Sequence, residues 1–232
     1  MMQRLFFLFI FLSFNCLNAY ESKHIPAFNA PDLGKTHFIV GLPCVPPPPP
    51  LTTRKNSAFI PALRGPDGSL CQAFFSPDDN LQEILIQLIT TEQKSIKAAI
   101  FCFTDGDIAR ALIDAHYRGV HIEIITDTSC LKDKFNKIEL LQKYRIPVYV
   151  YRPGALTIYN DIMHNKFVVF EKNVDGKSLV WTGSFNFTKS AKLKNQENVI
   201  VCDQIHLINR YTKQFAILKD RITKKTAFQN RL

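Results

Sequence analysis

The sequence predicts an α/β domain, a mixed β-sheet flanked by helices on both faces. Three observations predict it. Strand-like and helix-like apolar patterns alternate from Leu70 onward. Residues 98–103 are almost continuously apolar, as strands buried on both faces are. Residues 167–170 and 179–182 bracket Asp175-Gly176, a turn dipeptide, which marks a hairpin and therefore an antiparallel part of the sheet.

The elements follow in order. Residues 71–75 form a short strand. Ser76-Pro77-Asp78-Asp79 has the chemistry of a helix start, with a capping hydroxyl, a first-turn proline and acids at the positive end of the helix dipole. Leu81, Ile84, Leu85, Leu88 and Ile89 then share one helical face. After the strand at 98–103, residues 107–117 read as a helix with Ile108, Ala111, Leu112 and Ala115 inward, stopped by Gly119. A strand at 120–125, a helix at 134–144 and a strand at 148–151 complete the first half. The hairpin, a strand at 199–202 and a closing helix at 205–218 complete the second.

The chain has 232 residues, which suits one such domain plus tails. Residues 1–19 read as a signal peptide: Arg4 is the only charge before Glu21, 5–12 is apolar, and Ala19 offers a cleavage point. The apolar run is shorter than the ~20 residues of a membrane span. The expected location is therefore secreted or periplasmic, with an uncleaved membrane anchor as the alternative. Residues 20–69 are a Pro-rich extended lead-in in which Pro46 to Pro50 is an unbroken polyproline stretch. Residues 70–222 form the globular domain and 223–232 a basic tail. The net charge of +9 favours phosphate-rich partners, either nucleic acid or an anionic membrane surface. Cys44 and Cys71 flank the Pro-rich segment and are the first candidates for a disulfide in an exported chain. Cys102 and Cys202 lie in apolar runs and read as buried thiols. No cysteine or histidine spacing suggests a structural metal, and no cofactor is expected.

The chemistry concentrates in two short motifs. His164-Asn165-Lys166 opens the strand at 167–170, and Gly183-Ser184-Phe185-Asn186 follows the strand at 179–182. Side chains alternate along a strand, so His164 and Lys166 point one way, and Ser184 and Asn186 repeat that spacing. An imidazole, an ammonium, a hydroxyl and an amide can together attack and hold a phosphodiester without a metal. The imidazole needs an acceptor on its other nitrogen, and Glu197 and Glu171 are the candidates. Phe185 and Phe187 suit either core packing or stacking on bases. His116 and His121 read as surface or satisfied polar groups.

These motifs, with residues 99–105 and 118–127, resemble the phospholipase D superfamily, in particular its small single-motif branch of secreted bacterial endonucleases, bacterial phospholipase D-like proteins and mitochondrial cardiolipin hydrolases. The resemblance spans about residues 70–220. It implies the phospholipase D/nuclease fold, His164 as the nucleophile that forms a phosphohistidine, Lys166, Ser184 and Asn186 as phosphate ligands, and Glu197 as the acid orienting His164. It places an Asp at the position of Glu171, where Glu keeps the charge on a longer arm as a structural acid near the site. The stretch 172–177 is an insertion that reads as a solvated loop. A single motif is half a site, so the resemblance implies a homodimer in which two copies of His164 meet across a two-fold axis.

The function expected is an exported, metal-independent phosphodiesterase. Nucleic acid is the first substrate expectation, because Lys189, Lys192 and Lys194 follow Asn186 and a basic tail includes Lys213, Lys219, Arg221, Lys224, Lys225 and Arg231. Phospholipid head groups or cardiolipin are the second, and a non-catalytic phosphodiester-binding protein is the third.

Overall fold

The computed structural model describes residues 68–152 and 161–229, with side chains to Lys224. All of these lie in the larger of two compact units, Gly41–Leu232. The element order is β1 (Cys71–Phe75), α1 (Leu81–Thr91), β2 (Ser95–Ile100), α2 (Gly106–Tyr117), β3 (His121–Asp127), α3 (Ile138–Lys143), β4 (Val148–Tyr151), β5 (Lys166–Phe170), β6 (Leu179–Gly183), α4 (Lys189–Leu193), β7 (Asn198–Cys202) and α5 (Ile205–Gln229). The strands form one seven-stranded mixed sheet in the order β1-β7-β6-β5-β2-β3-β4. The pairs β2–β3 and β3–β4 are parallel, and the other four pairs are antiparallel.

Strand alternation divides the core in two. Ala98, Ile100, Ile124, Val168 and Phe170 join Leu85, Leu88, Leu112 and Leu141 of α1–α3. Their chain neighbours Ala99, Ile125, Phe167 and Val169 join Ile208, Phe215 and Leu218 of α5. Each fully buried Leu, Ile or Phe contributes about 1.5–3 kcal/mol by leaving water, which makes these faces the main source of stability. A half-buried ion pair fastens α5: Lys219 Nζ bonds the Glu123 carboxylate and lies 4.8 Å from the Tyr149 ring centroid, and Tyr149 Oη donates to Glu123 at 3.0 Å. Burial opposes the charge on Glu123, but the Lys219 and Tyr149 hydrogen bonds outweigh it and hold this carboxyl below its ordinary range.

Several boundaries differ from the sequence expectation, each through a polar side chain. Helix α1 is capped by Asn80, which accepts from Glu83 N at 3.2 Å, and not by Ser76. Ser76 instead donates to Asn195 O at 2.9 Å and accepts from Glu197 N at 3.0 Å. The expected helix at 134–144 is confined to Ile138–Lys143, because Asp133 and Asn136 bond the local backbone and hold a turn ahead of it. The hairpin insertion is a docked loop and not a merely solvated one. Asn173 is buried and donates to Leu88 O at 2.8 Å and Glu92 Oε2 at 3.1 Å, while accepting from Thr91 Oγ1 at 2.9 Å. Helix α5 runs on to Gln229, so the expected start of the basic tail at 223 falls inside it. The expected signal peptide, the polyproline stretch and Cys44 lie outside the described residues. Among the described residues no helix is long and apolar enough to cross a membrane.

Candidate active site

The sheet directions gather one set of strand ends. Strands β1, β2, β3, β4 and β6 finish at one edge of the sheet, and β5 and β7 start there. In open α/β sheets, ligand sites lie beyond the carboxyl ends of strands. His164 precedes β5 at this edge and Lys166 begins it, in register with Ile100 at the end of β2. The segment before His164 is fixed by Asp127, the last residue of β3, whose buried carboxylate accepts from Met163 N at 2.8 Å and from Ser129 N at 2.8 Å.

His164 is exposed, with its ring centroid 4.6 Å from that of Phe101. Lys166 is only 8% exposed, yet its ammonium reaches the same place. Nζ lies 3.1 Å from His164 Nδ1, 2.8 Å from His164 O and 5.3 Å from the Phe101 centroid. Burial lowers the His164 pKa from 6.5, and the Lys166 charge lowers it further against a weaker opposite pull from Asp127. The ring is therefore neutral at pH 7, the form that carries a nucleophilic lone pair. Burial also lowers the Lys166 pKa, opposed first by the charge of Glu197.

Glu197 and the Cys102 backbone locate the other motif. Glu197 Oε2 accepts from Ser184 Oγ at 2.5 Å, and the amide of Cys102 donates to Asn186 Oδ1 at 3.2 Å. The acid whose charge Lys166 feels is thus the one bonded to Ser184. The Ser184 loop is tightly held. Ser184 N donates to Asn198 O at 2.9 Å, and Ser184 Oγ accepts from Asn198 N at 3.0 Å. Gly183 is required here, since a Cβ would sit 2.0 Å from Asn198 O. Phe187 N donates to Cys102 O at 3.1 Å, which ties the loop to the end of β2. With its carbonyl oxygen committed to Cys102, Asn186 presents its NH₂ as a donor. Phe185 and Phe187 are both buried, so core packing is their role.

The two acids occupy different places. Glu197 is at the site, but the described hydrogen bonds of its carboxylate go to Ser184 and to Asn195 Nδ2 at 2.8 Å, with none to His164 of the same chain. Glu171 follows the far end of β5, so its expected position near the site is corrected. It accepts from Ser95 Oγ at 2.6 Å and pairs with Lys94, and these bonds hold its pKa below the ordinary value. Its separation from Lys166 is fixed by the five residues of an intervening strand, about 16 Å at strand rise. His116 and His121 lie away from this edge, with His121 exposed and 3.8 Å from Glu123.

Sequence reasoning assigned no role at the site to Asp127 or Phe101, and gave Ser76 only that of a helix cap. An acid ending an apolar run was the available signal for Asp127. Phe101 follows β2 in the same way, whereas nothing local betrays the link between Ser76 and Glu197, 121 positions apart.

The family description "Cardiolipin synthase, PLD-like domain" matches residues 85–219. The chain belongs to the phospholipase D superfamily. It is 35% identical over 175 residues to a phospholipase D of Rickettsia bellii, covering 75% of this chain and 78% of that one. It is 33% identical over 138 residues to a mitochondrial cardiolipin hydrolase of Xenopus laevis, covering 60% of each. Among solved structures it is similar to the phospholipase D family member Nuc from Salmonella typhimurium, with TM-score 0.55 and 25% identity, covering 65% of this chain and 93% of that one. NucT from Helicobacter pylori gives TM-score 0.58 and 27% identity, covering 64% and 94%. The protein is a phosphodiester hydrolase of this superfamily with its α/β fold.

Proposed function

We propose that the protein cleaves phosphodiesters through a phosphohistidine on His164, at a site shared by two copies of the chain, with phospholipids as substrates. The observation that carries the reaction is the neutral His164 ring 3.1 Å from a largely buried ammonium, beside the Ser184 and Asn186 donors. Lys166, Ser184 and Asn186 hold the non-bridging oxygens. An imidazole nitrogen of His164 attacks phosphorus, the bond to the leaving oxygen breaks, and a second imidazole gives that oxygen its proton. Water then attacks the phosphohistidine, giving its proton to the second imidazole and releasing a phosphomonoester.

Two features support the paired site. In the resting chain Lys166 can only donate to Nδ1, which leaves the proton on Nε2. Attack through Nε2 needs the proton on Nδ1 and an acceptor there, and a two-fold pair brings a second Glu197 as well as a second His164. The sheet surface beside the site also suits pairing. Ala73 and Phe75 alternate with buried Phe74, and Ala73 is in register with Ile200, so these residues share the α5 face. Phe75 and Ile200 are 56% and 41% exposed there. A charge placed by Ile200→Glu should convert a dimer to a monomer by light scattering and abolish turnover with the melting temperature retained.

The lipid preference rests on the rim. Phe135, Ile162 and Leu193 are exposed large apolar side chains in segments adjoining the site edge, interleaved with Lys132, Lys134, Lys192 and Lys194. Apolar groups among lysines suit an anionic bilayer surface. The relatives named phospholipase D and cardiolipin hydrolase support the same direction. Nucleic acid is the second reading, favoured by the +9 charge and the likeness to Nuc and NucT. The test is to offer phosphatidylcholine, cardiolipin, single-stranded DNA, duplex DNA and RNA in parallel, with EDTA present. Release of head group or phosphatidic acid is expected. Cleavage of nucleic acid alone would overturn the lipid reading while leaving the phosphohistidine chemistry standing.

A further inference from the structure

Cys71 and Cys202 stand directly opposite each other, the first on edge strand β1 and the second on β7. The hydrogen-bond pattern fixes what kind of pair they make. Asp203 N donates to Leu70 O at 2.7 Å, so the next pair along, Cys71 and Cys202, is a non-hydrogen-bonded antiparallel pair. In such pairs the Cα atoms are about 4.5 Å apart and the side chains lean together. A disulfide accepts Cα separations of about 4.4–6.8 Å. Directly opposed residues share a face of the sheet, so the two sulfurs are on one side. The Cys71 thiol is near enough to raise the pKa of the Cys202 thiol.

We propose that Cys71 and Cys202 form a cross-strand disulfide that clips β1 to the sheet when the chain meets an oxidising dithiol–disulfide exchanger. The roles of the two sulfurs differ. Cys71 is exposed and can reach the exchanger, whereas Cys202 is buried against α5. The Cys71 thiolate attacks one sulfur of the exchanger's disulfide and expels the other as a thiol. The Cys202 thiolate then attacks the Cys71 sulfur and expels the second. Two protein thiols are oxidised, and one disulfide is reduced to two thiols. Burial, with the neighbouring Cys71 thiol, pushes Cys202 up to about 11, so the attack by Cys202 should quicken as pH rises.

The consequence is mechanical. Among the described residues, strand β1 lies at the end of the sheet and pairs only with β7. The crosslink would close a loop of about 130 residues, the range in which restricting the unfolded chain stabilises most in the entropic description. It lies at the edge of the sheet opposite His164, so turnover should not depend on it.

The test is peptide mapping of the full chain after incubation with oxidised glutathione, alkylation and digestion without reduction. A linked pair of peptides carrying Cys71 and Cys202 is expected, with a melting temperature several degrees above that of the dithiothreitol-treated protein and equal kcat. Cys71→Ser, an exposed substitution, should fold, retain activity and lose the shift on reduction. Alkylation of both cysteines after oxidation would overturn the proposal. So would a Cys44–Cys71 link, or a Cys102–Cys130 link in its place.

Discussion

The two edges of the sheet use the same residue types to opposite ends. At the edge opposite His164, Glu92, Lys94, Ser95, Glu171 and Asn173 satisfy one another. Glu92 Oε1 accepts from the amides of Lys94, Ser95 and Lys172 at 2.9–3.0 Å, and Glu171 takes Ser95 and Lys94. At the site edge, Glu197, Ser184, Asn186 and Lys166 are also bonded, but Asn186 and Lys166 keep donors that these bonds do not use. Asn186 keeps its NH₂, and Lys166 keeps a charge that burial disfavours. A saturated cluster stabilises the fold, whereas a cluster with oriented, unused donors can receive an anion. A Ser, Glu or Lys is functional here because of what its neighbours leave undone, and its type alone does not decide it.

Substitutions at the two edges should therefore separate activity from stability. His164→Ala should remove the nucleophile and lower hydrolysis of bis-p-nitrophenyl phosphate by about 10⁴-fold or more, with an unchanged melting temperature. Wild-type turnover in that variant would break the comparison outright. Lys166→Ala and Ser184→Ala each delete one phosphate donor and should cost about 10²–10³-fold in kcat.

The pH profile should be bell-shaped, since one imidazole must be neutral and the other protonated. The His164 pKa is depressed from 6.5, so protonation of the second ring occurs below that value and the acid limb lies there. The rate should fall about tenfold per pH unit along that limb. An acid limb centred well above 6.5 would contradict the assigned effect of burial and Lys166.

The two acids give the sharpest contrast. Glu197→Gln should lower kcat about tenfold to a hundredfold with little change in stability. Glu171→Gln should leave kcat within about twofold while lowering the melting temperature by a few degrees. The smallest effect on turnover belongs to Asn173→Ala. It should destabilise by about 1–3 kcal/mol, because buried polar partners on α1 lose their hydrogen bonds, and leave kcat unchanged. Denaturant titration beside the same kinetic assay reads both quantities.

How far the sequence carries this contrast depends on the range of the interactions. The alternation of apolar patterns was local, so the order of strands and helices was legible from Leu70 to the closing helix, except for α4, whose five residues bury only Ala191 and so print no apolar face. The motif residues were legible as well, because two-residue spacing at a strand end fixes a shared direction. Their convergence needed the register of β5 with β2 and of β6 with β7, which no local pattern prints. Ser76 shows the limit most plainly. Its neighbours Pro77, Asp78 and Asp79 are good helix-start chemistry, yet its hydroxyl serves Glu197 across the sheet. Glu171 was misplaced for a related reason. Its proximity in sequence to Lys166 suggested proximity in space, but a strand carries the chain away from a site at its full rise. Asn173 looked like a loop residue because its partners are on α1, more than 80 positions earlier.

The most direct test of the contrast is to trap the covalent intermediate. Rapid mixing of the wild-type protein with a ³²P-labelled phosphodiester, quenching in alkali and peptide mapping should place the label on the peptide containing His164. The His164→Ala protein should remain unlabelled, and Glu171→Gln should label like wild type. Label on another residue, or full turnover with no labelled histidine, would contradict the account.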